Sequence, residues 1–270
     1  MKKPYIAVFL MCLIVMLAFV GCSILPSKEA EPSTPASLEA TIVTVPSADD
    51  SVDATVATEQ ETVPPSEPVI VIPEELAAIL SEESAQLLAE QGCSQLVCVS
   101  SVNATAQIRF YTCDRGQWLL KEELSCTGYI GSNGVSDCKV EGDMTTPTGL
   151  YPIGEAFYIQ VAPQTGLSTF QITENTYWVD DPGSAYYNQR VEGTENKDWR
   201  SAEHMIRYAT AYEYGFVVNY NTEPIRNAGS AIFFHISDHS TAGCIGTDRS
   251  FVLKYLALLD NACNPYILIK

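Results

Sequence analysis

From Ser94 onward, apolar and polar positions alternate with the period of a β-strand. Leu96 to Ser101 and Ala106 to Thr112 alternate around a short loop, which predicts a hairpin. Gln117 to Leu124 is a third strand candidate, and Tyr214 to Tyr220, Ser230 to Ile236 and Pro265 to Ile269 are further ones. Glycines 128, 131, 134, 142, 149 and 154 mark a loop-rich region between them. After Thr247-Asp248 the period changes: Val252, Tyr255, Leu256 and Leu259 make the apolar stripe of a short helix. Many short strands with turn signals predict a mainly β fold, a sandwich or a barrel, over residues 92–270.

The N-terminal part has other patterns. Residues 73–91 predict one helix: Pro73 fits its first turn, Glu74 and Glu75 suit its positive end, and Leu76, Ile79, Leu80 and Leu87 form a partial stripe. Residues 23–72 are rich in Pro, Ser, Thr, Ala, Val and Glu and contain no aromatic residue. Such a composition cannot bury enough apolar surface to offset chain entropy, so it predicts a disordered acidic linker. Residues 1–22 hold a basic start at Lys2 and Lys3 and an apolar run from Tyr5 to Val20, short for a membrane span. The run ends in Gly21-Cys22, which resembles the lipobox of bacterial lipoproteins. That resemblance implies removal of residues 1–21, a lipid on Cys22 and an extracytoplasmic, membrane-anchored protein facing the cell wall. An uncleaved anchor helix is the alternative, and it puts the remainder on the same side.

Charge sharpens the division. Of a net charge of −18, residues 23–90 supply fourteen acids against one base. The acidity therefore belongs mostly to the linker, which repels itself and extends. With no basic stripe to meet phosphates, nucleic acid is excluded as a partner. Seven cysteines follow residue 92, namely 93, 98, 113, 126, 138, 244 and 263. An odd number leaves at least one unpaired. Three disulfides and a free Cys244 fit an exported enzyme, with Cys93 and Cys113 nearly opposite across the first hairpin; the alternative is a set of small buried hydrophobes. No C-x-x-C pair exists and the three histidines lack helical zinc spacing, so neither a metal nor a cofactor is expected.

The stretch HISDHSTAGC, from His235 to Cys244, carries the chemistry. A strand holds a histidine, a short loop returns a cysteine behind a glycine, and a helix begins just beyond. An imidazole and a helix start near a thiol are the means of making a thiolate that attacks carbonyl carbon. His239 is the rival base within the same loop.

These residues resemble the active site of the YkuD-type L,D-transpeptidases. Ser230 to His235, followed by Thr241-Ala242-Gly243-Cys244-Ile245, is similar to its signature. Glu141-Gly142-Asp143, Thr146-Pro147-Thr148-Gly149 and Tyr151-Pro152-Ile153-Gly154 resemble a second segment. Trp178 to Asn188 and Lys197 to His204 resemble a branch of the family. The resemblance implies a β-sandwich, with the one short helix after the cysteine, acting on peptidoglycan stem peptides; nothing in the sequence suggests a dimer seam, so a monomer is expected. Cys244 matches the nucleophile, His235 the base, Gly243 the turn before the nucleophile and Thr241 the signature hydroxyl. The N–H groups of Gly243 and Cys244 are candidates for an oxyanion hole. An amine acceptor gives a 3→3 cross-link, water gives L,D-carboxypeptidase activity, and a relic site leaves a wall-binding module.

Two departures stand out. Ala242 replaces a second histidine of the signature. Gly246 stands where arginine is common, with Arg249 or Arg226 as possible substitutes. Trp178, Tyr187, Trp199 and His204, together with Tyr186, are candidates for lining the stem-peptide groove, against ordinary aromatic burial. Asp180, Asp181 and Asp198 are candidates for receiving an acceptor's ammonium, against plain solvation. Asp143 and Thr146 are expected to shape a turn.

Overall fold

The computed structural model describes the backbone of Ile42–Val45 and residues 70–270. The expected leader at 1–22, with Cys22, and most of the expected linker lie outside the described residues. Strands dominate, with a few short helices, and one of these, Arg249–Leu258, follows Cys244 as the periodicity predicts.

The first hairpin forms as expected. Gln95–Val102 and Thr105–Asp114 pair antiparallel from Gln95↔Thr112 to Val102↔Thr105. From it a hydrogen-bonded path runs through Tyr266–Ile269, Gly149–Tyr158, Tyr214–Val218, Phe233–Ile236, Ile245–Thr247 and Cys126–Tyr129. Cys126–Tyr129 then pairs back onto Thr105–Asp114, so eight strands close a ring. Closure removes exposed edges and creates an inside and two outer faces for the period-two pattern to fill.

Three cores follow. Val97, Val99, Ile108, Phe110, Phe216, Phe234 and Ile245 point inward, where Val252, Tyr255 and Leu256 of the late helix join them. Their strand neighbours Leu96, Cys98 and Tyr111 point outward and pack with Leu268 and Trp118 beneath Ile70, Ile72, Leu76 and Leu88. On the other side, Phe157, Val217, Phe233 and Cys244 point outward beneath Phe170, Met205 and Tyr212. The segment covering that side carries a small sheet of Thr176–Val179 between Arg190–Glu192 and Ala202–His204.

Several expectations are corrected. The helix at 73–91 is two, Glu74–Ala77 and Glu82–Glu90, because the Ser81 hydroxyl accepts the Ser84 N–H at 3.2 Å and starts a second helix. Within the expected linker, the β-branched runs Ile42–Val45 and Ile70–Pro73 pair in parallel and extend the sheet beyond Gln117–Leu120. That third strand is shorter than expected and ends in a 3-10 turn at Glu122–Leu124.

All seven cysteines from Cys93 to Cys263 are free thiols, so the three expected bridges are not formed. The hairpin register sets Cys113 beside Ser94, whose carbonyl accepts its N–H at 2.8 Å, while Cys93, which precedes the strand, joins Cys113 in the second core with no bond between them. Cys98 is sealed in the second core and Cys126 in the first, where its sulfur meets Thr247 Oγ1 and the Tyr255 hydroxyl.

Candidate active site

Phe233–Ile236 and Ile245–Thr247 run parallel, with Phe234 beside Ile245 and His235 beside Gly246. Alternation then puts Cys244 on the same outward face as Phe233 and His235. The expected base and nucleophile therefore sit diagonally on adjacent strands, and both line one cavity of about 560 Å³. Thr241, Ala242, His239, Glu203, Tyr212 and Arg249 line it too.

The loop before Cys244 is clamped from below. The Thr241 hydroxyl accepts the Gly243 N–H at 3.1 Å and donates to the Cys244 carbonyl at 2.6 Å. Of the two N–H groups expected in an oxyanion hole, that of Gly243 is thus engaged and that of Cys244 is the remaining candidate. Thr146 Oγ1 donates to the Gly243 carbonyl and accepts the Gly131 N–H, both at 2.8 Å. Fixing that carbonyl fixes the peptide plane whose other end is the Cys244 N–H. Lys139, almost wholly buried, donates to Thr145 O at 2.8 Å and pairs with Asp143 at 2.9 Å. Gly243 has φ +150°, and a Cβ there would lie 2.9 Å from Thr145 O and 3.3 Å from Lys139 Nζ. Only glycine fits between this clamp and the candidate nucleophile. Asp143 and Thr146 do shape a turn, and that turn holds the Gly243–Cys244 peptide.

Thr146→Val keeps the shape of the side chain and removes both hydrogen bonds. It is expected to destabilise the fold by about 2–4 kcal/mol, because a buried N–H and a buried carbonyl lose their partner. Denaturant unfolding checks this, and an unchanged midpoint refutes the clamp.

The thiol and the imidazole are not hydrogen-bonded to each other. Cys244 Sγ donates to Ala231 O at 3.2 Å and receives the Phe233 N–H at 3.4 Å. Ala231 has φ +53°, a turn that starts the strand late and aims its carbonyl at the sulfur. Burial, followed by the charge of Glu203, raises the thiol far above its usual range; the Phe233 N–H and Lys139 act against this. His235 is buried, and burial lowers it to about 4, so the imidazole is neutral. Its Nδ1 lies 2.9 Å from the Ile236 carbonyl, which only accepts, so Nδ1 carries the proton and Nε2 keeps the lone pair. Here the pair is a neutral thiol and a neutral base, and the thiolate expected from sequence requires the sulfur to turn from Ala231 toward Nε2. His239 is exposed and pairs with Asp238 at 2.6 Å.

The other expected residues lie elsewhere. Trp178 stands edge-on to Phe233 and donates to Asn188 at 3.0 Å. Tyr187 is buried, its hydroxyl between Glu141 at 2.5 Å and the Gly229 N–H at 3.0 Å. Trp199 packs edge-on to Tyr186 and, with His204, borders a separate cavity of about 370 Å³. His204 stacks on Tyr177 at 4.5 Å. None of the four lines the cavity of Cys244. Asp181 is held by Arg200 and Asp198 by Ser184. The missing arginine has a steric reason, since a Cβ on Gly246 would come 2.4 Å from Ser237 Cβ. Arg249 borders the cavity, bound through two nitrogens to Glu213, whereas Arg226 donates to Pro182 O away from it. Lys139, Glu203 and Tyr212 were not singled out from sequence. Glu203 lies in a recognised segment, but nothing local marks its role.

Residues 97–262 match a family model described as YkuD, the L,D-transpeptidase catalytic domain. No curated protein matches the chain. Among solved structures it is similar to the helical cell shape determining protein Pgp2 from Campylobacter jejuni. The identity is 13%, the TM-score is 0.35, and 66% of this chain and 47% of that chain are covered. A point mutant of the same protein gives 13% identity, a TM-score of 0.33 and coverage of 69% and 52%. The chain thus spans about half the length of the solved structures it matches.

Proposed function

The chain belongs to the YkuD family of L,D-transpeptidase catalytic domains, and from that premise we propose that it cross-links peptidoglycan stem peptides 3→3 through a thioester on Cys244. The observation that carries this reading is the diagonal placement of Cys244 and His235 on one face of adjacent parallel strands, open to a single cavity. A stem peptide entering the cavity displaces water. The thiol rotates from Ala231 O toward His235 Nε2, which takes its proton as the sulfur attacks the carbonyl of the third stem residue. The developing oxyanion falls to the Cys244 N–H, the donor that Thr241 and Thr146 orient. His235 then protonates the departing D-alanine, and an amine from a second stem resolves the thioester. Gly243 permits the turn; Thr241 holds the loop and borders the substrate.

Further parts of the proposal concern the whole protein. Residues 92–270 are the catalytic domain, and residues 73–91 pack on it through Leu76 and Leu88. Lipidated Cys22 tethers the protein outside the cytoplasm through an acidic linker, as a monomer facing the wall, with no cofactor. Trp178, Tyr187, Trp199 and His204 then contribute to substrate binding by shaping the covering segment.

The test is incubation with a disaccharide tetrapeptide and a fluorescent D-amino acid, followed by mass spectrometry. Incorporation at the fourth position is expected. Release of D-alanine alone would mark an L,D-carboxypeptidase, and no reaction would mark a wall-binding module.

A further inference from the structure

We propose that Glu203, held by the Tyr212 hydroxyl, is the acceptor-amine subsite: its carboxylate receives the ammonium group of the incoming nucleophile and takes one proton from it beside the Cys244 thioester. This rests on the acyl-transfer reading above.

Glu203 lies on Ala202–His204, opposite Trp178, and reaches the same cavity as Cys244 and His235. The Tyr212 hydroxyl donates to its Oε2 at 2.5 Å, and the Tyr212 ring stands edge-on to His235 at 5.2 Å. One side chain thus joins the carboxylate to the base. The surroundings are negative without compensation. Asp180 and Glu141 are near enough to repel Glu203, and Tyr208 and Cys244 feel its charge. One carboxyl oxygen of Asp180 is buried with no hydrogen-bond partner. Among the described residues, no Lys, Arg or His pairs with Glu203, Asp180 or Glu141. Lys139, the buried cation behind Gly243, is spent on Asp143. Of these three acids Glu203 alone lines the cavity, and a carboxylate there without a counter-charge favours a cationic occupant. No group of His, Cys, Asp or Glu among the described residues is arranged to hold a metal, and an ammonium is the cation that an amine acceptor brings. The acids expected from sequence to do this, Asp181 and Asp198, are occupied by Arg200 and Ser184.

The protons balance. The acceptor arrives as R–NH₃⁺ and passes one proton to the carboxylate, giving R–NH₂ and a carboxylic acid. The nitrogen lone pair forms the C–N bond, the C–S bond breaks, and the sulfur leaves with the electron pair. A second nitrogen proton returns to sulfur through His235, restoring the thiol, and Glu203 releases its proton to solvent. Burial raises Glu203 to about 7, against the Tyr212 hydrogen bond, which suits a group that must gain and lose a proton near neutrality.

The experiment separates the half-reactions. The acyl-enzyme is formed with a stem whose fourth residue is D-lactate held by an ester, so that the leaving group carries no ammonium, and is followed by intact mass; it is then resolved with D-alanine, with D-lactate or with water. Glu203→Gln is expected to acylate within about 3-fold of wild type and to hydrolyse normally, while D-alanine capture falls roughly 100-fold and D-lactate capture is unchanged. Equal loss of acylation and capture, or capture at the wild-type ratio, overturns the subsite. A wild-type protein that never acylates instead removes the acyl-transfer reading itself. If Glu203→Gln does not fold, Tyr212→Phe decides. Losing the hydroxyl should move the pH profile of D-alanine capture upward by about one unit, and an unmoved profile overturns the proposal.

Discussion

Cys244→Ala is expected to lower turnover of a tetrapeptide stem on the order of 10⁴-fold or more, because Cys244 is the only thiol that lines the cavity among the described residues. The fold should survive. The sulfur lies between Phe233 N–H and Ala231 O, and the loop around it is held by Thr241 and Thr146 without it. Losing one buried sulfur costs about 1–2 kcal/mol, a few degrees in melting temperature. Chromatography of the stem products, with calorimetry beside it, separates a chemical from a structural loss. The same variant should show no mass increment after treatment with a carbapenem, whereas the wild-type protein should gain one on Cys244. Turnover that persists in the variant would end the nucleophile assignment.

His235→Gln is expected to lower acylation about 10²- to 10⁴-fold, and also to alter how stability depends on pH. The sign follows from two groups that oppose each other, His235, which is buried, and Glu203, which is partly buried. His235 falls from 6.5 to about 4 on folding. Between those values the unfolded chain binds a proton that the folded chain does not, so stability is lost as pH falls through the window. Glu203 rises from 4.5 to about 7. Between those values the folded chain keeps a proton that the unfolded chain has released, so stability is lost as pH rises. Each effect is on the order of 3 kcal/mol, and between about pH 4.5 and 6.5 they largely cancel. The wild-type melting temperature should therefore be nearly flat across that range. In His235→Gln the Glu203 contribution stands alone and the melting temperature should fall as pH rises; in Glu203→Gln it should rise. Calorimetry of the three proteins from pH 4.5 to 6.5 tests this, and parallel curves would show that the two groups are not buried as described.

The strand pattern was legible because alternation is local. Leu96 and Cys98 against Val97 and Val99 state that two faces are covered, and the hairpin register follows from the same residues. The helix after Cys244 was legible for a similar reason, since Val252, Tyr255 and Leu256 share a stripe. The break at Ser81 was not, because a capping serine and a solvent-facing serine look alike in sequence. The disulfide expectation failed although Cys93 and Cys113 share the second core, because a bridge needs a specific approach of the two Cβ atoms that spacing along a hairpin does not encode.

By itself, the sequence determined the mainly β class, the late helix, and the residue types that give Cys244, His235 and Gly243 their chemistry, because each depends on near neighbours in the chain. Tertiary structure alone decided which groups meet at the cavity. Closing the ring sets Phe233–Ile236 beside Ile245–Thr247, and with them His235 and Cys244 on one face. The covering segment brings Glu203 and Tyr212 to that face and takes Trp199 and His204 to another cavity. Burial there makes thiol and imidazole neutral at rest, a consequence of the surrounding low-dielectric packing that no spacing of residues in the chain encodes.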